Sequence, residues 1–133
     1  MIKKDVVTCF LEDEGKILIA RRSSKVGTYQ GRWAGISGYM EEDPYRTALN
    51  ELKEEVSLTK NDVELVRTGD VLEVQDERLN TLWRVHPYLF KCKYPEKIKL
   101  DWEHKEYRWI RPEEISNYET VPKLKETFEK VSK

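Results

Sequence analysis

Residues Gly35 to Leu58 read GISGYMEEDPYRTALNELKEEVSL. A small-residue loop runs through an acidic turn into a segment carrying Glu51, Glu54 and Glu55. Asp43 before Pro44 is a helix start, with Asp as the N-cap and Pro at the first helical position. The pattern predicts a helix from there to about Val56. Each helical residue advances roughly 100°, so the three carboxylates fall within an arc of about 100°. Tyr45, Leu49, Leu52 and Val56 centre on a different arc, roughly 130° away. One face can therefore pack on a core while another gathers negative charge. Glu51 and Glu55 stand at i,i+4, where like charges repel by a few tenths of a kcal/mol. Lys53 lies roughly opposite them and does not neutralise them. With Glu41, Glu42 and Asp43 just upstream, the cluster reads either as a solvated acidic face or as a seat for a divalent cation.

On the N-terminal side, Val6–Leu11 and Lys16–Ala20 are β-rich runs joined by Glu12-Asp13-Glu14-Gly15, which predicts a hairpin. Arg21 and Arg22 close the second run. Ser23–Gly31 is polar and contains glycine, so it reads as a loop. Trp33–Tyr39 alternates larger with small residues and predicts one short strand. Beyond the helix, residues 63–67, 70–75 and 82–93 predict strands, with Pro87 marking an edge strand or a bulge. Tyr107–Ile110 is a short aromatic strand, followed by a turn of helix at Pro112–Ile115. Val121, Leu124, Phe128 and Val131 recur at helical spacing and predict a terminal helix over the sheet. The expected class is α+β, a mixed sheet between helices, in one domain over residues 1–133.

The chain has 133 residues and 37% of them are charged, yet the net charge is −1. Near-cancelling charge argues against a general polyanion binder, so no nucleic acid polymer is expected. No apolar run approaches the roughly 18 residues of a membrane span. Cys9 and Cys92 lie far apart without metal-ligand spacing, which fits buried thiols in a reducing cytoplasm. No exposed apolar stripe is long enough to decide between monomer and homodimer.

Gly38 through Leu58 resembles the Nudix box, G-x5-E-x7-R-E-U-x-E-E-x-G-U, where U is a bulky aliphatic. Glu51-Leu52-Lys53-Glu54-Glu55 matches its E-U-x-E-E core, Leu58 matches the final aliphatic, and Glu42 stands at the first glutamate's interval from the arginine position. Three positions depart: Gly38 precedes Glu42 by three residues instead of five, Asn50 stands for the arginine, and Ser57 for the glycine. Asp101–Ile110 and Thr120-Val121-Pro122 are also similar to later parts of such domains.

The resemblance implies a Nudix-like α/β/α fold. It also implies a Mg²⁺-dependent pyrophosphohydrolase, with Mn²⁺ as a possible substitute, acting on a nucleotide diphosphate linkage, with a nucleoside triphosphate slightly favoured. It implies Glu54 and Glu55 as metal ligands, Glu51 as a further ligand or orienting group, and backbone carbonyls near Ser37 and Gly38. Glu51, Glu55 and Glu103 are the candidates for accepting a proton from water. Consecutive strand residues face opposite ways, so only one of Arg21 and Arg22 is expected to reach phosphate, and Arg21 is favoured. Glu42 is carried over as a substrate-side residue. Tyr29, Trp33, Trp83 and Tyr88 are candidates to stack a base, against the alternative that they are core. His104 and His86 read as hydrogen-bonded or surface residues rather than ligands. A non-hydrolytic nucleotide-binding module on the same fold is the second reading, and a plain interaction domain with an acidic face the third.

Overall fold

A computed structural model of the chain describes residues 1–132. In chain order its elements are β1 (Ile2–Asp13), β2 (Lys16–Arg22), β3 (Trp33–Ala34), β4 (Ile36–Tyr39), α1 (Pro44–Val56), β5 (Val63–Thr68), β6 (Leu72–Asp76), β7 (Thr81–Cys92), β8 (His104–Ile110) and α2 (Leu124–Glu129). Short 3-10 segments cover Pro95–Lys97 and Pro112–Asn117. The strands form one mixed sheet in which β1 runs parallel to β7 and the other pairings are antiparallel. This is the expected α+β architecture.

The predicted hairpin is present but short. Glu14 and Gly15 both have positive φ, 50° and 79°, as a tight primed turn requires. Only Glu12↔Ile17 and Asp13↔Lys16 then pair across β1 and β2. Beyond that point the strands part. β1 takes β4 as its neighbour over Val6–Cys9, and β2 takes β8 from Ile17 to Arg22. Trp33–Tyr39 is accordingly two strands rather than one, because the chain changes partner at Gly35, from β2 to β1.

Pro87 corrects another expectation. It lies in an interior strand, paired with Thr8 of β1 on one side. On the other side β6 ends its ladder at Val85 and β5 begins at Tyr88. The missing N–H therefore falls at the seam between two neighbours, where no ladder bond is lost.

Strand alternation distributes the core onto both faces of the sheet. Val7, Cys9 and Leu11 of β1, Leu18 and Ala20 of β2, and Tyr88, Phe90 and Cys92 of β7 pack with Ala48, Leu52 and Val56 of α1. Phe10, Ile17, Ile19 and Leu89 point the other way and pack with Ile115, Leu124, Phe128 and Val131. Because both faces are covered, the central strands show runs of apolar residues rather than clean alternation. The terminal helix is shorter than predicted: Lys123 has φ 62°, so α2 begins only at Leu124.

Candidate active site

The acidic helix is set by its caps. Asp43 Oδ1 accepts the Arg46 amide at 3.0 Å, with Pro44 in the first turn. At the other end Ser57 adopts a left-handed conformation, φ 64° and ψ 29°, and its amide bonds to Leu52 O. Ser57 thus performs the turn for which the motif uses glycine.

The segment after Ile98 is strapped to this helix end. Lys99 N donates to Val56 O at 3.0 Å, Asp101 N to Glu55 O at 3.1 Å, and Ser57 Oγ to Lys99 O at 3.1 Å. From the sheet side, Ser23 N donates to Glu103 O and Ser23 Oγ to Trp102 O, at 2.8 and 2.7 Å. Glu103 N in turn donates to Asp101 Oδ1. Bonds from both sides therefore place Glu103 beside the carboxylates of α1.

Burial and mutual repulsion raise these acids' pKa values. Glu55 is 1% exposed, and its carboxyl is pushed well above the usual range, first by burial, then by its hydrogen bond with Glu51 and the Glu103 charge. Glu51, Asp101 and Glu103 are raised as well, each mainly by burial. His104 is buried beside Glu55, with Nε2 3.7 Å from Glu55 Oε1. Burial, then the nearby Arg22 charge, pushes the imidazole down to about 4, so it is neutral at pH 7. Glu55 Oε2 and both ring nitrogens of His104 have no hydrogen-bond partner among the described residues. Buried polar atoms left this way are costly, typically about 1–3 kcal/mol each.

Such a set suits a hard divalent cation. Its donors are carboxylate and carbonyl oxygens, which magnesium prefers, and a buried orphan oxygen stands among them. Gly38 shows a second fit: β4 register places it on the α1 side with Val7, and a Cβ there would collide with the Glu51 carboxyl. Among the described residues no three His, Cys, Asp or Glu side chains form a ready-made ligand set. A cation would have to draw the side chains of Glu51, Glu54 and Glu55 together.

Glu51, Glu54, Glu41 and Glu103 line one end of a cavity of about 330 Å³, within the usual range for small-molecule sites. Its other end is apolar and aromatic. Val6, Val74, Val85, Trp83 and Tyr39 form its floor, while Val26 to Tyr29 and Val121, Pro122 and Leu124 supply further walls. Between the ends stands Arg22, whose Nε donates to Thr28 O at 2.9 Å.

Of the residues singled out from the sequence, Tyr29, Gly38, Glu51, Glu54, Trp83 and Glu103 line this cavity, and Glu55 is buried. Four expectations are corrected. Arg21 points away, its Nε donating to Gly31 O and its Nη1 lying 3.4 Å from Glu106 Oε2. Alternation in β2 puts Arg21 with Ile17 and Ile19, and Arg22 with Leu18 and Ala20 on the α1 side. Trp33 is buried on the same far side as Arg21, edge-on to Tyr118 with centroids 5.3 Å apart. Glu42 is exposed and pairs with Arg46 at 3.4 Å. Tyr88 packs in the α1 core, stacked with Phe90. His86 bonds Asp5 at 3.0 Å. Arg22, Thr28, Tyr39 and Trp102 line the cavity without having been singled out for it. A parity count anchored on α1 contacts would have found Arg22, but both faces of β2 are apolar and the sequence offers no anchor.

Carboxylates gathered at one end of a cleft in a mixed sheet can seat a divalent cation and, through it, an anionic ligand. The family model described as NUDIX domain matches residues 2–131, and the chain belongs to the Nudix family. It is 24% identical over 131 residues to the nucleoside triphosphatase NudI of Escherichia coli, covering 90% of this chain and 89% of that protein. The NudI of Shigella flexneri is 22% identical over 130 residues. Among solved structures, a Caenorhabditis elegans Ap4A hydrolase binary complex aligns with a TM-score of 0.76 at 19% identity, covering 98% of this chain and 94% of that one. A MutT protein from Methanosarcina mazei aligns at 0.74 and 24% identity, covering 96% and 91%. These structural likenesses are likenesses of fold. Among the described residues no helix is long and apolar enough to cross a membrane.

Proposed function

We propose that this chain is a Mg²⁺-dependent pyrophosphohydrolase of nucleoside triphosphates or closely similar nucleotides, working in the cytoplasm, with Mn²⁺ able to replace Mg²⁺. The observation that carries the reading is the polarity of the cavity: four carboxylates at one end, Trp83 with Tyr39 and three valines at the other, and Arg22 between. A ligand that is polyanionic at one end and planar at the other matches that order. The NudI relatives, nucleoside triphosphatases by name, support the same class.

Glu51, Glu54 and Glu55 would hold the cation, assisted by carbonyls of the Ser37–Gly38 segment. When bound, the ion neutralises phosphate charge and makes a water more acidic. Arg22, fixed by Thr28, is placed to contact a phosphate oxygen. Trp83 and Tyr39 offer ring faces to a base. Glu51, Glu55 and Glu103 are the groups available to take the water's proton. Their burial makes each a stronger base than a solvated carboxylate, closer to the working pH.

The test is to incubate the purified protein with nucleoside triphosphates, dinucleoside polyphosphates and sugar nucleotides plus Mg²⁺, and to measure the released phosphates. Turnover of a triphosphate with a requirement for divalent cation is expected. Tight binding of a nucleotide without turnover of any would overturn hydrolysis in favour of a binding module.

A further inference from the structure

The cavity floor can be read from strand register. β4, β1, β7 and β6 lie side by side, giving one row Tyr39, Val6, Val85 and Leu72 and a second row Lys4, Trp83 and Val74. The loop between β2 and β3 passes over this floor and contributes Val26, Gly27, Thr28 and Tyr29 to the cavity wall.

Tyr29 reaches from this loop to the β6–β7 pair. Its hydroxyl donates to Asp76 Oδ2 at 2.6 Å and accepts Trp83 Nε1–H at 3.0 Å. The Tyr29 and Trp83 ring centroids are 6.4 Å apart. Its backbone is left-handed at φ 49°, a conformation that costs a non-glycine residue roughly 1–2 kcal/mol. Strain of this kind persists only where surrounding contacts impose it. The preceding residue, Thr28, receives Arg22 through both its carbonyl and its hydroxyl, at 2.9 and 3.4 Å. Gly31 N closes the loop onto Arg22 O at 2.9 Å.

One short segment is thus bonded at Tyr29 to the aromatic end of the cavity and at Thr28 to its cation. We infer that Tyr29 is a positioning residue that couples the two ends: its bonds to Asp76 and Trp83 hold the loop down, and the loop holds Arg22 in place. Losing the hydroxyl would then weaken recognition of a bare polyphosphate, which has no ring to set against Trp83. The polyphosphate part rests on the function proposed above, whereas the loop coupling does not.

The test compares wild type with Tyr29→Phe, and with Asp76→Ala, which removes the acceptor, as a second route to the same bond. Amide hydrogen exchange over residues 24–32 and tryptic cleavage after the exposed Lys25 read the loop. Calorimetric titration with inorganic triphosphate in Mg²⁺ reads the anionic end. Exchange at Gly31 and cleavage after Lys25 should each quicken about tenfold, the factor carried by one good hydrogen bond. Triphosphate affinity should fall by about the same factor. Unchanged exchange in both variants overturns the coupling, and so does faster exchange with unchanged triphosphate affinity. If wild type itself does not bind triphosphate, the functional reading fails, and exchange at Gly31 alone decides whether Tyr29 holds the loop.

Discussion

Glu55 and His104 face each other in the interior with 3.7 Å between Oε1 and Nε2, and Glu55 Oε2 has no hydrogen-bond partner among the described residues. The pair meets because Asp101 N bonds to Glu55 O, bringing the start of β8 against the last turn of α1. Raised and lowered pKa values on the two groups have opposite consequences for stability. Glu55, raised, favours folding fully below its unfolded value near 4.5, and that contribution is lost as pH rises through the folded value. His104, lowered from 6.5 to about 4, contributes above 6.5 and loses that contribution as pH falls toward 4.

Glu55→Gln follows from this sign. The variant keeps a neutral group where the native protein must ionise a buried acid at high pH. Without added metal it should be more stable than wild type at pH 8, by on the order of 1 kcal/mol for each pKa unit the native group is raised and titrates. The gain should shrink toward pH 5. Hydrolysis should fall at least about a hundredfold, within the range for loss of an acid–base or ligand group. Urea melts at the two pH values, with rates on the best nucleotide, check both; equal stability at pH 8 would contradict the buried charge.

Mg²⁺ should stabilise the wild type more at pH 8 than at pH 6, since the cation competes with the proton on the same buried acids. Thermal melts with and without the ion measure this, and a larger shift at pH 6 would remove Glu55 from the cation's seat.

Gly38→Ala tests the fit of Glu51. The three atoms nearest the added Cβ all belong to the flexible Glu51 side chain, so the fold should survive with little loss of stability. The carboxyl must move, and kcat/KM should drop about tenfold or more, as small displacements in active sites do. A higher Mg²⁺ concentration for half-maximal rate should accompany it.

The two arginines of β2 should separate cleanly. Arg22→Ala is expected to cost about 10–100-fold in kcat/KM, the loss of a charge-assisted bond to phosphate. Arg21→Ala removes an ion pair whose partners are each 39% exposed, and such pairs contribute about 0–1 kcal/mol. It should change kcat/KM by less than about threefold. Reversed effects would return Arg21 to the site.

Ser57→Gly relieves a left-handed residue at the end of α1 and sacrifices its hydroxyl bond to Lys99 O. The two effects oppose each other, and the exposed bond is the weaker. A gain of up to about 1 kcal/mol in stability is expected, measurable as a higher urea midpoint at unchanged slope.

Residues 35–58 by themselves determined the helix, its caps and the spacing that puts Glu51, Glu54 and Glu55 on one arc. Those properties depend on neighbours a few residues apart, so they are local and legible. The strand positions were legible for the same reason, since apolar runs and turn residues mark them. What each strand pairs with was not. The departure of β1 from β2 after two residue pairs, the change of partner at Gly35 and the seam at Pro87 depend on contacts between distant segments. Which arginine meets the acids was also undecided locally, because strand alternation offers two faces and only the packing of α1 chooses between them. Tertiary structure likewise sent Trp33 and Glu42 away from the cavity and brought Arg22, Tyr39 and Trp102 to it. It also set His104 beside Glu55, a juxtaposition across 49 positions of chain that rests on the backbone bonds tying residues 99–101 to the end of α1.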